Sequence, residues 1–157
     1  IDGTLTDGCV YYSSEGEYLK KFSLRDGTGF FLLKQCGIKT GFITTENSPI
    51  VARRAKKLNV DKYIYGTYRK LEVMKEFCVA EGISLENIAF IGDEINDIKL
   101  LATCGLSFSV GDADNRVKDV AAIICKHNGG NGAFREAVEI LLNLNKYSID
   151  NIIENSL

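Results

Sequence analysis

Short apolar runs alternating with helical stretches predict an α/β fold of the doubly wound, Rossmann-like kind: a parallel sheet interrupted near its start by an inserted β-hairpin. Three observations carry this. The runs Ile38–Ile43, Tyr63–Tyr65, Ile88–Ile91, Leu106–Val110 and Ala121–Cys125 are strand-like and are separated by helical segments, and strands so spaced need crossovers, hence a mainly parallel sheet. Residues with capping chemistry stand where the helices should start and stop. Polar residues follow the strands directly, at the sheet edge where such folds bind ligands.

In chain order, Cys9–Tyr12 and Tyr18–Leu24 are extended and aromatic, and the turn-forming Ser13-Ser14-Glu15-Gly16 between them predicts the hairpin. From Asp26 the helical pattern begins, and Gly37 closes the Gly29–Cys36 segment as a C′ glycine. Ser48-Pro49 offers an N-cap hydroxyl and a proline at N1, where its missing N–H costs nothing. Lys70 opens the Leu71–Glu81 helix, and Gly105 is expected to end a Glu94–Cys104 helix as its C′ residue.

The chain has 157 residues, 45% apolar and 25% charged, with one Pro. This suits a single domain over 1–157 with one buried core. Nineteen basic and 21 acidic residues leave a net charge of −2, so neither nucleic acid nor an anionic membrane is an expected partner. The longest apolar runs, such as Val120–Cys125, fall far short of the roughly 18 residues of a membrane span. Cys9, Cys36, Cys78, Cys104 and Cys125 are dispersed and odd in number, which reads as reduced core thiols in a cytoplasmic protein.

Ile1 is followed by Asp2-Gly3-Thr4-Leu5-Thr6-Asp7-Gly8, Ile43 by Thr44-Thr45, and Ile91 by Gly92-Asp93-Glu94-Ile95-Asn96-Asp97. If Asp2, Asp93, Glu94 and Asp97 converge, they raise one another's pKa values unless a cation joins them. A hard divalent ion is the natural remedy, and Mg²⁺ suits a site with few protein ligands and several waters. With Lys70 and Thr44 added, the set fits the gripping and transfer of a phosphoryl group.

Asp2–Gly8, Thr44, Lys70 in Gly-x-x-x-Lys, and Gly92-Asp93-Glu94-x-x-Asp97 resemble the four ordered motifs of the haloacid dehalogenase-like phosphatase superfamily across nearly the whole chain. The hairpin, Arg25-Asp26-Gly27-Thr28-Gly29 and Gly129-Gly130-Asn131-Gly132-Ala133-Phe134-Arg135-Glu136 are similar to those of its phosphatases without a cap domain that act on 3-deoxy-2-keto sugar acid phosphates. The resemblance implies a Mg²⁺-dependent phosphoric monoester hydrolase serving lipopolysaccharide or sialic acid biosynthesis.

By the same resemblance the nucleophile is an Asp two positions before Asp2, and so precedes Ile1. The domain is therefore expected to be trimmed at its N-terminus, with Asp and a hydrophobic strand ahead of Ile1. A non-nucleophile there would instead imply the alternative, a non-catalytic oligomerisation domain like those fused to sialic acid cytidylyltransferases. In the catalytic reading, Asp2 is the general acid and then base. Gly3, Thr44 and Lys70 hold the phosphoryl oxygens. The carboxylate expected before Ile1, Asp2 through its backbone carbonyl, and Asp93 ligate the metal, with Asp97 and Glu94 beside them. Asp93 also suits a helix N-cap, and Glu94 a first-turn acid.

No stretch before Lys70 is long enough for a lid, so the resemblance implies closure by a homotetramer, which would also cover Val10-Tyr11-Tyr12 of the hairpin. A sugar carboxylate and hydroxyls call for further polar groups, for which Arg25, Glu46, Lys57 and Arg135 are candidates, with Arg53 and Arg54 nearby. The Glu46 and Lys57 pair resembles relatives acting on the 9-phosphate of a deoxynonulosonate, set against the 8-phosphate of 3-deoxy-manno-octulosonate. Lys57 near a helix C-terminus equally suits the helix dipole, and His127 is expected on the surface.

Overall fold

The computed structural model describes residues 1–156. The hairpin pairs β1 (Tyr11–Ser13) antiparallel with β2 (Gly16–Leu19). Its second arm is shorter than the extended pattern predicts. Ser23 leaves the strand to N-cap α1 (Leu24–Gln35), accepting the Asp26 N–H at 3.3 Å, so local capping overrides aromatic character there. The far end of α1 closes as predicted, with Gly37 at φ +68° and Ile38 N–H donating to Leu33 O at 3.0 Å.

Two parallel pieces follow. β3 (Gly41–Ile43) pairs with β4 (Lys62–Ile64), and β5 (Ala89–Gly92), β6 (Leu106–Ser109) and β7 (Ile123–Ile124) pair in that order. Both pieces are parallel, as the doubly wound fold requires, and among the described residues no ladder hydrogen bond joins them. The crossovers are α2 (Pro49–Leu58), α3 (Lys70–Glu81), α4 (Ile98–Leu101) and α5 (Asn115–Val120); α6 (Ala133–Leu144) and α7 (Ile149–Ser156) complete the chain. Ser48 caps α2 through the Val51 N–H.

The expected Glu94–Cys104 helix is divided into a 3-10 turn, Ile95–Asp97, and the short α4. Gly105 is not in the left-handed region. It is required because any Cβ would collide with the Glu86 carbonyl, and its N–H donates to Leu85 O at 2.9 Å.

α6 joins the two halves of the core. Ala133 and Ala137 pack with Leu101, Phe108, Val110 and Val117, while Val138 and Leu142 pack with Leu32 and Leu33 of α1. Full burial of each such Leu or Val contributes about 1.5–3 kcal/mol. A third cluster, Leu5, Phe30, Phe42, Val51 and Ala55, seats the 1–6 loop on β3 and α2. Phe134 stacks on Phe30 with centroids 4.3 Å apart, and a Cβ on Gly29 would stand 3.0 Å from its ring.

Candidate active site

The loop leaving β5 is organised by Asp97, whose side chain is 3% exposed. Its Oδ2 accepts the N–H groups of Asp93 (3.1 Å) and Glu94 (3.3 Å), and its Oδ1 accepts from Lys70 Nζ at 2.6 Å. Gly92 permits this tuck, since a Cβ there would come within 2.7 Å of the Asp97 side chain. Lys70, the first residue of α3, also donates to Asn96 Oδ1 at 3.1 Å. A buried cation at a helix N-terminus opposes the dipole, and Asp97 supplies the compensating charge. With both oxygens so engaged, Asp97 stands in the supporting position beside Asp93. Glu94 is exposed, and its carboxylate accepts from the N–H of Ile95 at 2.7 Å.

Asp2 faces the other way. Its Oδ1 accepts from Lys20 Nζ and its Oδ2 from Thr44 Oγ1 at 3.3 Å. Thr44 lies just past β3 and is held by its N–H to Ile64 O at 3.0 Å. The N–H of Gly3, expected in the phosphate cradle, donates to Thr6 Oγ1 at 3.2 Å, and Gly3 sits at φ +75° with the Asp93 carboxylate where a Cβ would be. Only glycine adopts this conformation without strain.

Sequence reasoning missed Lys20. Its side chain is 1% exposed and paired with Asp2 and, at 3.1 Å, with Glu17, which also accepts from Ser48 Oγ. Burial pulls the Lys20 pKa down, but its bonds to Asp2 and Glu17 outweigh this and leave it raised. A lysine in an exposed-looking hairpin arm carries no local signal; only the fold turns it inward.

The carboxyl of Asp93 is pushed up to about 6, first by burial, with Asp97 adding to the rise and Thr4 Oγ1 and Lys70 opposing it. An elevated carboxylate in an acidic, partly dry cleft favours a cation. Among the described residues no three acidic, thiol or imidazole side chains form a metal-binding group, and the expected set draws on Asp2 only through its backbone carbonyl. Asp93 and the Asp2 carbonyl, which accepts no hydrogen bond among the described residues, suit a hard ion that keeps several waters.

Asp26 explains why two separate sequence motifs travel together. It is 1% exposed and accepts the N–H groups of Gly132 (3.2 Å) and Arg135 (2.9 Å), capping α6 in place of Gly132, which has no side chain to do so. Burial raises its pKa against those two bonds. The Gly129–Gly132 loop then lies on the 1–6 loop: Gly130 N–H donates to Thr4 O at 2.9 Å, and a Cβ on Gly129 would collide with Gly3 O.

Of the four substrate-binding candidates, Glu46 alone is tied to this floor, through its N–H to Thr44 Oγ1 at 3.1 Å. Lys57 is exposed in the last turn of α2. Arg25 is exposed beside Gly132, and Arg135 pairs with Glu139 at 2.6 Å. Arg54 is structural, donating to Ser23 O and lying over the Phe22 ring. His127 is exposed and bonded to Glu136. All five cysteines are free thiols, but Cys9 is exposed and does not belong to the core as expected. Among the described residues no helix is long and apolar enough to cross a membrane.

Residues 42–136 match the haloacid dehalogenase-like hydrolase family. The chain is 35% identical over 142 residues to 3-deoxy-D-manno-octulosonate 8-phosphate phosphatase of Haemophilus influenzae, covering 90% of this chain and 79% of that protein. The cobalt-bound structure of the Haemophilus influenzae phosphatase superposes with a TM-score of 0.87 at 35% identity, over 91% of this chain and 84% of that one. The Moraxella catarrhalis 3-deoxy-D-manno-octulosonate 8-phosphate phosphatase, in complex with a magnesium ion, a phosphate ion and a KDO molecule, gives 0.88 at 38% identity, over 91% and 82%. The four-motif floor and these likenesses make the chain a member of the haloacid dehalogenase-like hydrolases and, among them, of the 3-deoxy-D-manno-octulosonate 8-phosphate phosphatase family, a phosphoric monoester hydrolase.

Proposed function

We propose that the protein hydrolyses the 8-phosphate of 3-deoxy-D-manno-octulosonate, with Mg²⁺ as cofactor, through an aspartyl-phosphate. The observation that carries this reading is the ordered set of polar groups at the strand ends, Thr44 on Asp2, Lys70 on Asp97 and Thr4 on Asp93, in a chain so similar to enzymes named for that substrate. The proposed nucleophile is the aspartate that the family motif places two positions before Asp2. Its carboxylate attacks phosphorus as the ester P–O bond breaks, and Asp2 gives a proton to the departing sugar oxygen. Asp2 then takes a proton from water, which attacks the acyl phosphate and releases inorganic phosphate. Lys70 and Thr44 hold the phosphoryl oxygens, the former kept in place by Asp97. Bound at Asp93 and the Asp2 carbonyl, Mg²⁺ would offset the negative charge shared by phosphate and carboxylates.

Of Glu46 and Lys57, the pair that hinted at a nine-carbon substrate, Glu46 precedes the Ser48 cap of α2 and Lys57 lies in its last turn. The likeness to phosphatases named for the eight-carbon acid favours that substrate. Arg25, beside Gly132, is the cation proposed for the sugar carboxylate. The exposed Tyr11, Tyr12 and Tyr18 support the proposal of a homotetramer assembled through the hairpins.

The test is phosphate release by the intact protein from the 8- and 9-phosphates, with and without Mg²⁺. Mg²⁺-dependent release, faster from the 8-phosphate, is expected. Release from neither ester overturns the proposal, and preference for the 9-phosphate reassigns the substrate.

A further inference from the structure

Lys20 is the one buried ammonium of the hairpin, and nothing in the phosphoryl-transfer floor calls for it. Burying an ammonium is costly unless it is paired, and an apolar residue would fill the same space at less cost. Its partners show what the charge does. Glu17, anchored by Ser48 at the N-cap of α2, holds Lys20 from behind. Lys20 in turn takes Asp2 Oδ1, while Thr44 Oγ1 takes Oδ2. Both Asp2 oxygens are thus engaged on the Thr44 side, away from Asp93, whose Oδ1 is bound to Thr4 and whose carboxylate lies against Gly3.

Near a divalent cation, a second carboxylate is drawn in as a ligand, and a ligated carboxylate no longer exchanges a proton freely. We propose that Lys20 is a positioning residue that holds the Asp2 carboxylate off the metal and aims it at the ester oxygen, with Glu17 and Ser48 fixing Lys20 from the hairpin and α2. This rests on the reading of Asp2 as general acid and base. The hairpin then has two distinct parts: a tip that meets solvent or another copy, and a base that belongs to the active site.

The test compares the intact protein with K20M, K20R, D2N and the D2N/K20M double variant. Misaiming a reacting group by about 1 Å costs on the order of 10²-fold, so K20M should lose about that in kcat while KM moves less than about threefold. Calorimetric titration with Mg²⁺ alone, without substrate, should show tighter binding to K20M, because Asp2 becomes free to join the ion. K20R should recover about tenfold or more of the lost rate, since a guanidinium supplies the same charge. The double variant should be no slower than D2N, because Lys20 acts through Asp2. Wild-type turnover by K20M, unchanged or weaker Mg²⁺ binding, or an additive double variant each overturns the role of Lys20. Wild-type turnover by D2N instead overturns the acid and base reading, whatever K20M does. Should K20M not fold, E17Q takes its place: a smaller fall in kcat with tighter Mg²⁺ binding supports the proposal, and no change in either overturns it.

Discussion

The loop after β5 and the hairpin both deliver charged side chains to one site, by different means. In the β5 loop, Asp97 bonds the backbone of residues three and four positions before it and takes Lys70 as its one distant partner. In the hairpin, Tyr11, Tyr12 and Tyr18 are exposed, yet Lys20 at its base is buried against Asp2. The first region organises itself and presents its chemistry as a motif. The second acquires its role only by docking, so its sequence looks ordinary.

Breaking each region in turn tests this contrast. D97A should have the largest effect, since it leaves the Lys70 ammonium buried and unpaired at a cost of about 3–5 kcal/mol, read as a lower midpoint in urea unfolding. K70M keeps the volume and removes the phosphate-holding charge, and kcat/KM should fall by roughly 10²–10³-fold. D26A strands the N–H groups of Gly132 and Arg135 and should cost about 1–3 kcal/mol by the same urea assay, loosening α6 from α1.

The pH dependence follows from Asp93, whose pKa is raised from 3.8 to about 6. A carboxyl raised on folding favours the folded state at acid pH, and that contribution is lost as pH rises through about 6. The metal-free protein should therefore lose some stability between pH 4 and 7 on this account. Mg²⁺ binding needs the carboxylate, so its affinity should weaken by about tenfold per pH unit below about 6, measurable by calorimetry across pH 5–7.5. Smallest of all, Y12S at the exposed hairpin tip should change protomer stability by less than about 0.5 kcal/mol. Sedimentation velocity on Y12S should nonetheless show smaller species if the tips join copies, and an unchanged sedimentation coefficient removes the hairpin from the proposed tetramer contact.

Much of the fold was readable. The apolar runs became β3 to β7, and Ser48-Pro49 and Gly37 cap as their chemistry dictates. The misreadings have two causes, a contact with residues distant in sequence and a side chain competing for the backbone. Gly105 resembles a helix terminator but is required by the Glu86 carbonyl, and Asp97 breaks the expected long helix by bonding backbone N–H groups. In the site, Asp2, Thr44, Lys70 and Asp93 stand in recognisable motifs. Their division of labour does not, because it depends on which way each carboxylate turns.

Residue order alone determined which segments become strands and helices, since periodicity, caps and turns are local, and it determined the chemistry gathered at the strand ends. Tertiary structure decided the rest: Asp97 faces Lys70 while Asp2 faces Lys20, and Asp26 caps a helix more than a hundred residues away. Those choices arise where a buried charge must find a partner, and the partner is supplied by whichever element packing brings near.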